Sequence, residues 1–525
     1  MTRQNKENAA VPEGRRKAAK TEAVEPARGG KGVPINQQVQ QLELSFGTAE
    51  YPKAKAEGAT GEAKRPRRRS ATREAPKPKI KKRPAVPATM EEVVSHLREA
   101  FQNVAANGGA PGPDRQSIGL VREHLDELLP RLAKSLHGGT YTPGEIRRVW
   151  IPKSGGGQRG LGIPNVIDRM VQEAVRQVLE PLYEPTFHPS SHGFRPGRSC
   201  HTAIAEARKH VEAGYGWVVD LDLEKFFDRV PHQRLLARLA QKVKENQLLE
   251  LIRRMLKAKV VMPDGVVVNT EEGVPQGGPL SPLLSNVVLD EFDQELGQRG
   301  HRFVRYADDM NIYARSRRAA ERVMASVTRF LTRRMRLTVN PTKSAVARPE
   351  ERHFVGFRLV REDPDGPVEV LLSERSKDRI DTKIRELTPR NWGDSLRECI
   401  RQINEYTLGW IGFFGICTEA SERTFAGLDA HIRRRLRAIQ LRHWKRKRTI
   451  AQRLILLGVA RKTAWRRVYE GVKSWWALSH DPAVDRGLRN AYFAERGLVS
   501  LVDAWRKRAQ QVAAPTQGQL WPATG

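Results

Sequence analysis

An α+β protein behind a long basic tail is what this sequence predicts, and three features of the chain predict it. From Tyr141 to about Leu359, apolar runs with the character of strands are mixed with segments of helical period. From there to about Arg508 the pattern is helical almost throughout, with Arg-rich faces. Ahead of both, Met1 to about Pro87 is rich in Lys, Arg, Ala, Glu, Pro and Gly and poor in aromatics. Such a segment buries too little apolar surface to offset the entropy of ordering, so disorder is expected.

Bulk composition narrows the function classes. The chain has 525 residues, enough for several domains with real cores. Ninety-two Lys and Arg against 60 Asp and Glu leave a formal net charge of +32. That balance calls for a polyanionic partner, because neutralising phosphates releases condensed counterions. Nucleic acid leads, since no apolar run approaches the roughly 20 residues that span a bilayer and no signal-peptide core follows Met1. A soluble, intracellular protein with no membrane partner is expected. Cys200, Cys399 and Cys417 form no Cys-x-x-Cys pair, so reduced, partly buried thiols are expected rather than a disulfide or zinc framework.

Within the tail, Lys64-Arg65-Pro66-Arg67-Arg68-Arg69 and Lys77-Pro78-Lys79-Ile80-Lys81-Lys82-Arg83 read equally as a solvated linker or an RNA tether. Residues 39–46 form a short apolar island, a helical turn or a docking motif. Folded sequence starts near Thr89. Glu91 to Leu97 and then Leu125, Leu128, Leu129 and Leu132 have helical spacing, separated by the Gly-rich stretch from Asn107 to Gly112.

Two acidic clusters carry the chemistry. Trp217-Val218-Val219-Asp220-Leu221-Asp222-Leu223-Glu224-Lys225-Phe226-Phe227-Asp228 opens as a buried strand, and its acids fall where that strand ends. Further on, Phe303-Val304-Arg305-Tyr306-Ala307-Asp308-Asp309-Met310-Asn311-Ile312-Tyr313 reads as strand, tight turn and strand with two adjacent acids at the turn. Side chains alternate along a strand, so neighbours converge only in a turn or at its edge. Juxtaposed carboxylates raise one another's pKa unless a cation neutralises them, and Mg²⁺ prefers one or two carboxylates completed by water and substrate phosphate. Alone, an Asp-Asp turn is a solvated hairpin. With a strand-end Asp beside it, the pair becomes a candidate two-metal site for nucleotidyl transfer, one ion activating a 3′-hydroxyl and the other holding the triphosphate and the leaving oxygen. Asp220 is expected to face away by strand alternation, and Asp228 to cap the helix starting near Pro231.

Tyr306-Ala307-Asp308-Asp309 together with the segment from Asp222 to Asp228 resembles the palm of a reverse transcriptase of the group II intron maturase family, and the similarity runs from about Asn107 to about Leu501. The resemblance implies a right-hand polymerase fold: fingers and a palm on an antiparallel sheet, an α-helical thumb/maturase domain, and a small helical DNA-binding region. It implies that Asp222, Asp308 and Asp309 are the catalytic acids, holding two Mg²⁺ ions together with Leu223, with Mn²⁺ as a substitute. Phe227 matches the aromatic beneath the incoming sugar, where a ring would collide with a 2′-hydroxyl; Phe226, Phe227 or both belong to the core.

The other boxes follow in family order. Arg148 to Pro164 resembles the fingers hairpin, whose Gly-rich turn between Lys153 and Arg159 suits a triphosphate. His192-Gly193-Phe194-Arg195-Pro196-Gly197-Arg198-Ser199 resembles a box that positions template or packs the fingers. Gly273-Val274-Pro275-Gln276-Gly277-Gly278 resembles the loop against the nucleotide, with Gln276 near its sugar. Leu337 to Ser344 resembles the box whose lysine, here Lys343, reaches the leaving pyrophosphate as a charge or a proton donor. His353-Phe354-Val355-Gly356-Phe357 resembles the strand closing the palm. Tyr406 to Phe414, with Trp410, Phe413 and Phe414 as helix core, and then Leu428 to Arg437 and His443 to Arg448, resemble the maturase domain. Arg433, Arg434, Arg435, Arg437, Lys445, Arg446, Lys447 and Arg448 are the expected RNA contacts there. Lys473 to Leu501 resembles the DNA-binding region, and nothing after it resembles the HNH endonuclease with which many members end.

The expected organisation is therefore a basic tail over 1–88, a helical extension of the fingers over 89–145, and fingers and palm over 146–365. A thumb/maturase domain over 366–449, a DNA-binding region over 450–510 and a tail over 511–525 complete it. The resemblance implies an RNA-directed DNA polymerase and splicing maturase that works as a cytoplasmic, bacterial-type ribonucleoprotein. Its partners would be group II intron RNA, target DNA and dNTPs, with a homodimer allowed. The competing readings are a domesticated relative serving DNA repair or phage defence, a non-enzymatic splicing chaperone, and a general basic RNA-binding protein.

Overall fold

The first helix, Met90–Ala106, follows directly from local chemistry: Thr89 caps it by accepting from the Glu92 N–H, and Glu91 and Glu92 complement the positive end of its dipole. Its buried stripe of Val93, Leu97, Ala100, Phe101 and Val104 packs on the helix Val166–Tyr183. A computed structural model describes residues 88–152, 157–363, 366–471 and 474–513. The basic tail with its clusters, the apolar island, Lys153 and the chain end after residue 513 lie outside the described residues.

In chain order the strands are β1 (Ile146–Pro152), β2 (Gln158–Ile163), β3 (Trp217–Leu221), β4 (Val260–Val261), β5 (Val267–Val268), β6 (Arg302–Tyr306), β7 (Asp309–Ala314), β8 (Ala345–Ala347), β9 (Phe357–Val360) and β10 (Glu369–Leu372). One sheet has the order β2-β1-β4-β5 and is mixed, because β1 and β4 run parallel. The expected antiparallel sheet holds here for β1–β2 and β4–β5, and the β1–β4 pair departs from it. The chain leaves β1–β2, builds helices and β3, and only then returns as β4, a crossover long enough for parallel pairing. The second sheet, β6-β7-β3-β8, is antiparallel, and β9 and β10 form a separate hairpin.

The second sheet is buried on both faces, which is why β3 begins as a continuous apolar run. Val219, Leu221, Phe303, Met310 and Ile312 face a core shared with the helices Val166–Tyr183 and Ser281–Gln298. Val218, Val304 and Tyr313 face a second core that runs through the C-terminal helices to Trp505. Trp410 is buried in that core, and Phe413 and Phe414 pack on Phe357, as expected of helix-core aromatics. Asp220 does not face away: two residues from Asp222, it shares that residue's side of the strand, where Arg352 binds it at 2.5 Å. Nor does Asp228 cap a helix. It lies in the short turn Phe226–Asp228, and the helix His232–Leu239 starts at Pro231 without a side-chain cap.

No described helix is long and apolar enough to cross a membrane. The three cysteines are free, and burial pushes the Cys399 and Cys417 thiols up to about 12.

His353, just ahead of β9, lies 2.7 Å from the Ser373 hydroxyl, and burial together with Arg375, Arg379 and Arg352 lowers its pKa from 6.5 to about 4. A depressed histidine pKa means that folding favours the neutral ring. Its stabilising share is complete above pH 6.5 and is lost as pH falls towards 4. Thermal melts across that window are expected to show a steeper acid-side loss for the wild type than for His353→Gln.

Candidate catalytic site

Strand register brings the acids together. β3 and β7 pair antiparallel with Leu221 opposite Met310, so Asp222 leaves the end of β3 beside the start of β7, where Asp309 stands. β6 and β7 pair from Arg302↔Tyr313 to Tyr306↔Asp309, leaving Ala307 and Asp308 as the two-residue turn. Ala307 holds a left-handed φ of 57°, a conformation that favours glycine. The first residue of a primed hairpin turn must adopt it, and it puts Asp308 at the tip.

The electrostatics match. Burial raises the pKa of Asp308; Asp222 raises it further, and Arg159 and Arg305 lower it. Asp309 is pushed up strongly by burial, then by Asp220 and Asp308, while the Val355 N–H stabilises its ionised form. The Lys343 ammonium lies 3.7 Å from Asp222 Oδ2. Its loop is stitched to Asp222 on both sides: Asn340 N–H donates to the Asp222 carbonyl at 2.8 Å, and Asp222 N–H donates to Ser344 Oγ at 3.0 Å. Leu223 follows and bridges Val339.

Of the residues expected on the nucleotide side, Arg159, Phe227 and Gln276 are tied together through one loop. Val274 N–H donates to the Phe227 carbonyl at 2.6 Å, and Gly162 N–H donates to the Gln276 carbonyl at 2.6 Å. The Gly273–Gly278 segment is thus fastened between the Phe226–Asp228 turn and β2, the strand that carries Arg159. Gly277, at φ 118°, sits so close to the Gly162 carbonyl that a Cβ would collide with it. Phe226 is core, whereas Phe227 is only half-buried and packs edge-on to it at 5.2 Å. The His192–Ser199 box packs beneath the turn: Gly193 backs onto Ala307, and Arg195 is buried on Glu184 at 2.7 Å.

Do these residues suit a divalent cation? Among the described residues no three His, Cys, Asp or Glu side chains close into a cage. Asp222 does raise the affinity of Asp308 for positive charge, and Lys343 already stands beside Asp222. An oxygen donor set of one or two carboxylates suits an ion that shares its shell with substrate phosphate. Asp222 and Asp308 would hold it; Asp309 stands alongside, its carboxylate accepting from Val355.

The basic helical surface divides. Arg435 points inward, with its guanidinium bound to Thr388 and to the Arg385 carbonyl, and Arg437 pairs with Asp485 and the Leu488 carbonyl. Both are internal clamps rather than RNA contacts. Arg434 stacks on Trp476 at 4.6 Å, and Lys447 reaches the Gly471 carbonyl and the Tyr469 ring. Lys445, Arg446 and Arg448 are exposed, and Arg433 is partly so. Sequence reasoning missed Arg305, which is fully buried under the turn with Asp293. The available signal was a charge inside an apolar strand.

Comparison with known proteins gives two matches along the chain. Residues 151–359 match the family described as Reverse transcriptase (RNA-dependent DNA polymerase), and residues 377–455 the one described as Group II intron, maturase-specific domain. Protein YkfC of Escherichia coli (strain K12) is 31% identical over 306 residues, covering 50% of this chain and 80% of that protein. The Group II intron-encoded protein LtrA of Lactococcus lactis subsp. cremoris is 38% identical over 211 residues, covering 39% of this chain and 34% of LtrA. A 91 kDa protein in a cob intron of Schizosaccharomyces pombe is 36% identical over 197 residues, 36% of this chain and 24% of that one. The match therefore spans most of the first relative and about a third or less of the other two.

Proposed function

The chain belongs to the group II intron-encoded reverse transcriptase and maturase family, and from that membership we propose that it binds its intron RNA, assists splicing, and copies the RNA into cDNA primed at a DNA target. The observation that carries the polymerase reading is the meeting of Asp222, at the end of β3, with the Asp308 turn, beside a nucleotide loop fastened to Phe227 and β2. Two Mg²⁺ ions, with Mn²⁺ as a substitute, would supply activation of the 3′-hydroxyl and stabilisation of the leaving oxygen.

The chain's own groups do the rest. Asp222 and Asp308 fix the site of reaction, with Asp309 and Leu223 alongside. Arg159, aided by Lys153, draws the triphosphate into the cleft. Gln276 meets the sugar, and Phe227 lies under it. Lys343 offsets charge, or donates a proton, at the departing pyrophosphate.

The segment boundaries of the sequence reading serve as the proposed division of labour: fingers and palm over 146–365, a thumb/maturase region over 366–449, and target-DNA contacts from 450–510. RNA contact is assigned to Arg433, Arg434, Lys445, Arg446, Lys447 and Arg448. A homodimer and a cytoplasmic ribonucleoprotein complete the reading.

Primer extension by the full-length protein on an RNA template, with dNTPs and Mg²⁺, tests the polymerase reading: cDNA to the template end is expected, and no extension with either Mg²⁺ or Mn²⁺ would refute it. In the same assay Phe227→Ala is expected to admit ribonucleotides by about one order of magnitude or more, corresponding to ~1.4 kcal/mol of lost discrimination. Unchanged selectivity would put the sugar gate elsewhere.

A further inference from the structure

Arg305 lies inside the palm two residues before Ala307, and both it and its partner Asp293 are 0% exposed. A guanidinium so far from water is tolerated only when its charge is paired and its donors are bonded. All five donors are engaged. Nε donates to Asp293 Oδ1 at 2.8 Å and Nη2 to Asp293 Oδ2 at 2.5 Å, while Nη2 also reaches Ser191 Oγ at 2.7 Å. Nη1 donates to Asn286 Oδ1 at 2.9 Å and to the Ala307 carbonyl at 2.8 Å.

Four of these bonds tie the arginine to the scaffold, and the fifth reaches into the catalytic turn. The scaffold is itself cross-braced. Arg305 N–H donates to the Ser190 carbonyl at 2.9 Å, and His192 N–H donates to the Arg305 carbonyl at 2.8 Å. Asn286 Nδ2 donates to the Gly193 carbonyl at 2.9 Å, and Gly193 abuts Ala307 with no room for a Cβ. The turn is thus gripped from two sides.

The grip bears on the chemistry through one peptide plane. The Ala307 carbonyl and the Asp308 N–H belong to the same planar unit, so fixing the direction of that carbonyl fixes where the Cα of Asp308 departs. Ala307 holds a left-handed backbone that a non-glycine residue leaves when nothing restrains it. Packing alone would be met by an apolar side chain here; a guanidinium aimed at the Ala307 carbonyl does something an apolar group cannot.

We propose that Arg305, oriented by Asp293 and Asn286, is a positioning residue that fixes the Ala307–Asp308 peptide and so holds the Asp308 carboxylate in its reacting place. The inference rests on the polymerase reading of the site, and its test separates the two. Full-length wild type and Arg305→Lys are compared in single-nucleotide primer extension, in thermal melts, and in Mn²⁺ titration of the protein–primer–template complex followed by electron paramagnetic resonance.

Arg305→Lys keeps a charge near Asp293 but cannot reproduce the five-donor fork. Its kcat is expected to fall about 10- to 100-fold, with KM for dNTP within about 2-fold and a Mn²⁺ midpoint raised several-fold. Asn286→Ala, which keeps the buried ion pair, is expected to move the same readouts in the same direction by less, and it serves where the lysine variant does not fold. A lowered melting temperature with unchanged kcat and Mn²⁺ midpoint in the folded variant would overturn the proposal and leave Arg305 a stabilising residue only. A wild type that binds Mn²⁺ but extends no primer would refute the polymerase reading, while the Mn²⁺ midpoints would still decide whether Arg305 positions Asp308.

Discussion

Replacing Asp308 by alanine is expected to abolish RNA-templated primer extension, slowing it by at least about 1,000-fold, or ~4 kcal/mol of transition-state stabilisation. Intron RNA affinity should stay within about 2-fold, because the exposed cations assigned to RNA lie on the C-terminal helices and not on the palm turn. Stability should not suffer either. The Asp308 carboxyl has a raised pKa, so folding disfavours its charge, and alanine removes that cost. The three measurements together distinguish loss of a reaction centre from general damage: extension lost, binding kept, and melting temperature kept or raised. Loss of all three would mean that the turn is a structural element.

The second large effect is ionic. A net charge of +32 and the exposed Lys445, Arg446 and Arg448 imply that RNA binding is dominated by phosphate neutralisation. With roughly six to ten phosphates contacted, affinity is expected to fall by about 10³- to 10⁵-fold between about 50 and 200 mM salt. Each cation in phosphate contact that is removed should lower the logarithmic slope by about one. Arg446→Ala and Arg448→Ala should do so. Arg435→Ala should instead lower the melting temperature, since its guanidinium is spent on Thr388 and the Arg385 carbonyl. A shallow salt slope would contradict the assignment of these helices to RNA.

The difference between those arginines was within reach of the sequence. Ile432, Arg435, Leu436 and Ile439 fall at helical spacing, so Arg435 lies on the apolar stripe and not on the polar face; density of charge alone could not tell inward from outward. Asp220 was misread for a similar reason, since residues two apart on a strand share a face. The buried strand β3, the turn at Asp308 and the glycine loop around Gln276 were legible because each is written in contiguous residues. The support beneath the turn was not. Arg305 finds Asp293 and Asn286 at separations of 12 and 19 residues and Ser191 at 114, and one sequence does not say which polar residues meet across such distances. The parallel pairing of β1 with β4 was hidden likewise, because it depends on where a long crossover returns.

We propose that Asp222, from the end of β3, and Asp308, from the turn between β6 and β7, serve one reaction centre. A double-mutant cycle in primer-extension rate, using Asp222→Asn, Asp308→Asn and the pair, decides whether they do. Residues that act as a unit are strongly non-additive, so the double variant should be no more than about 10-fold slower than the slower single variant. Full additivity of the two losses, or a wild-type rate in either single variant, would contradict a shared centre.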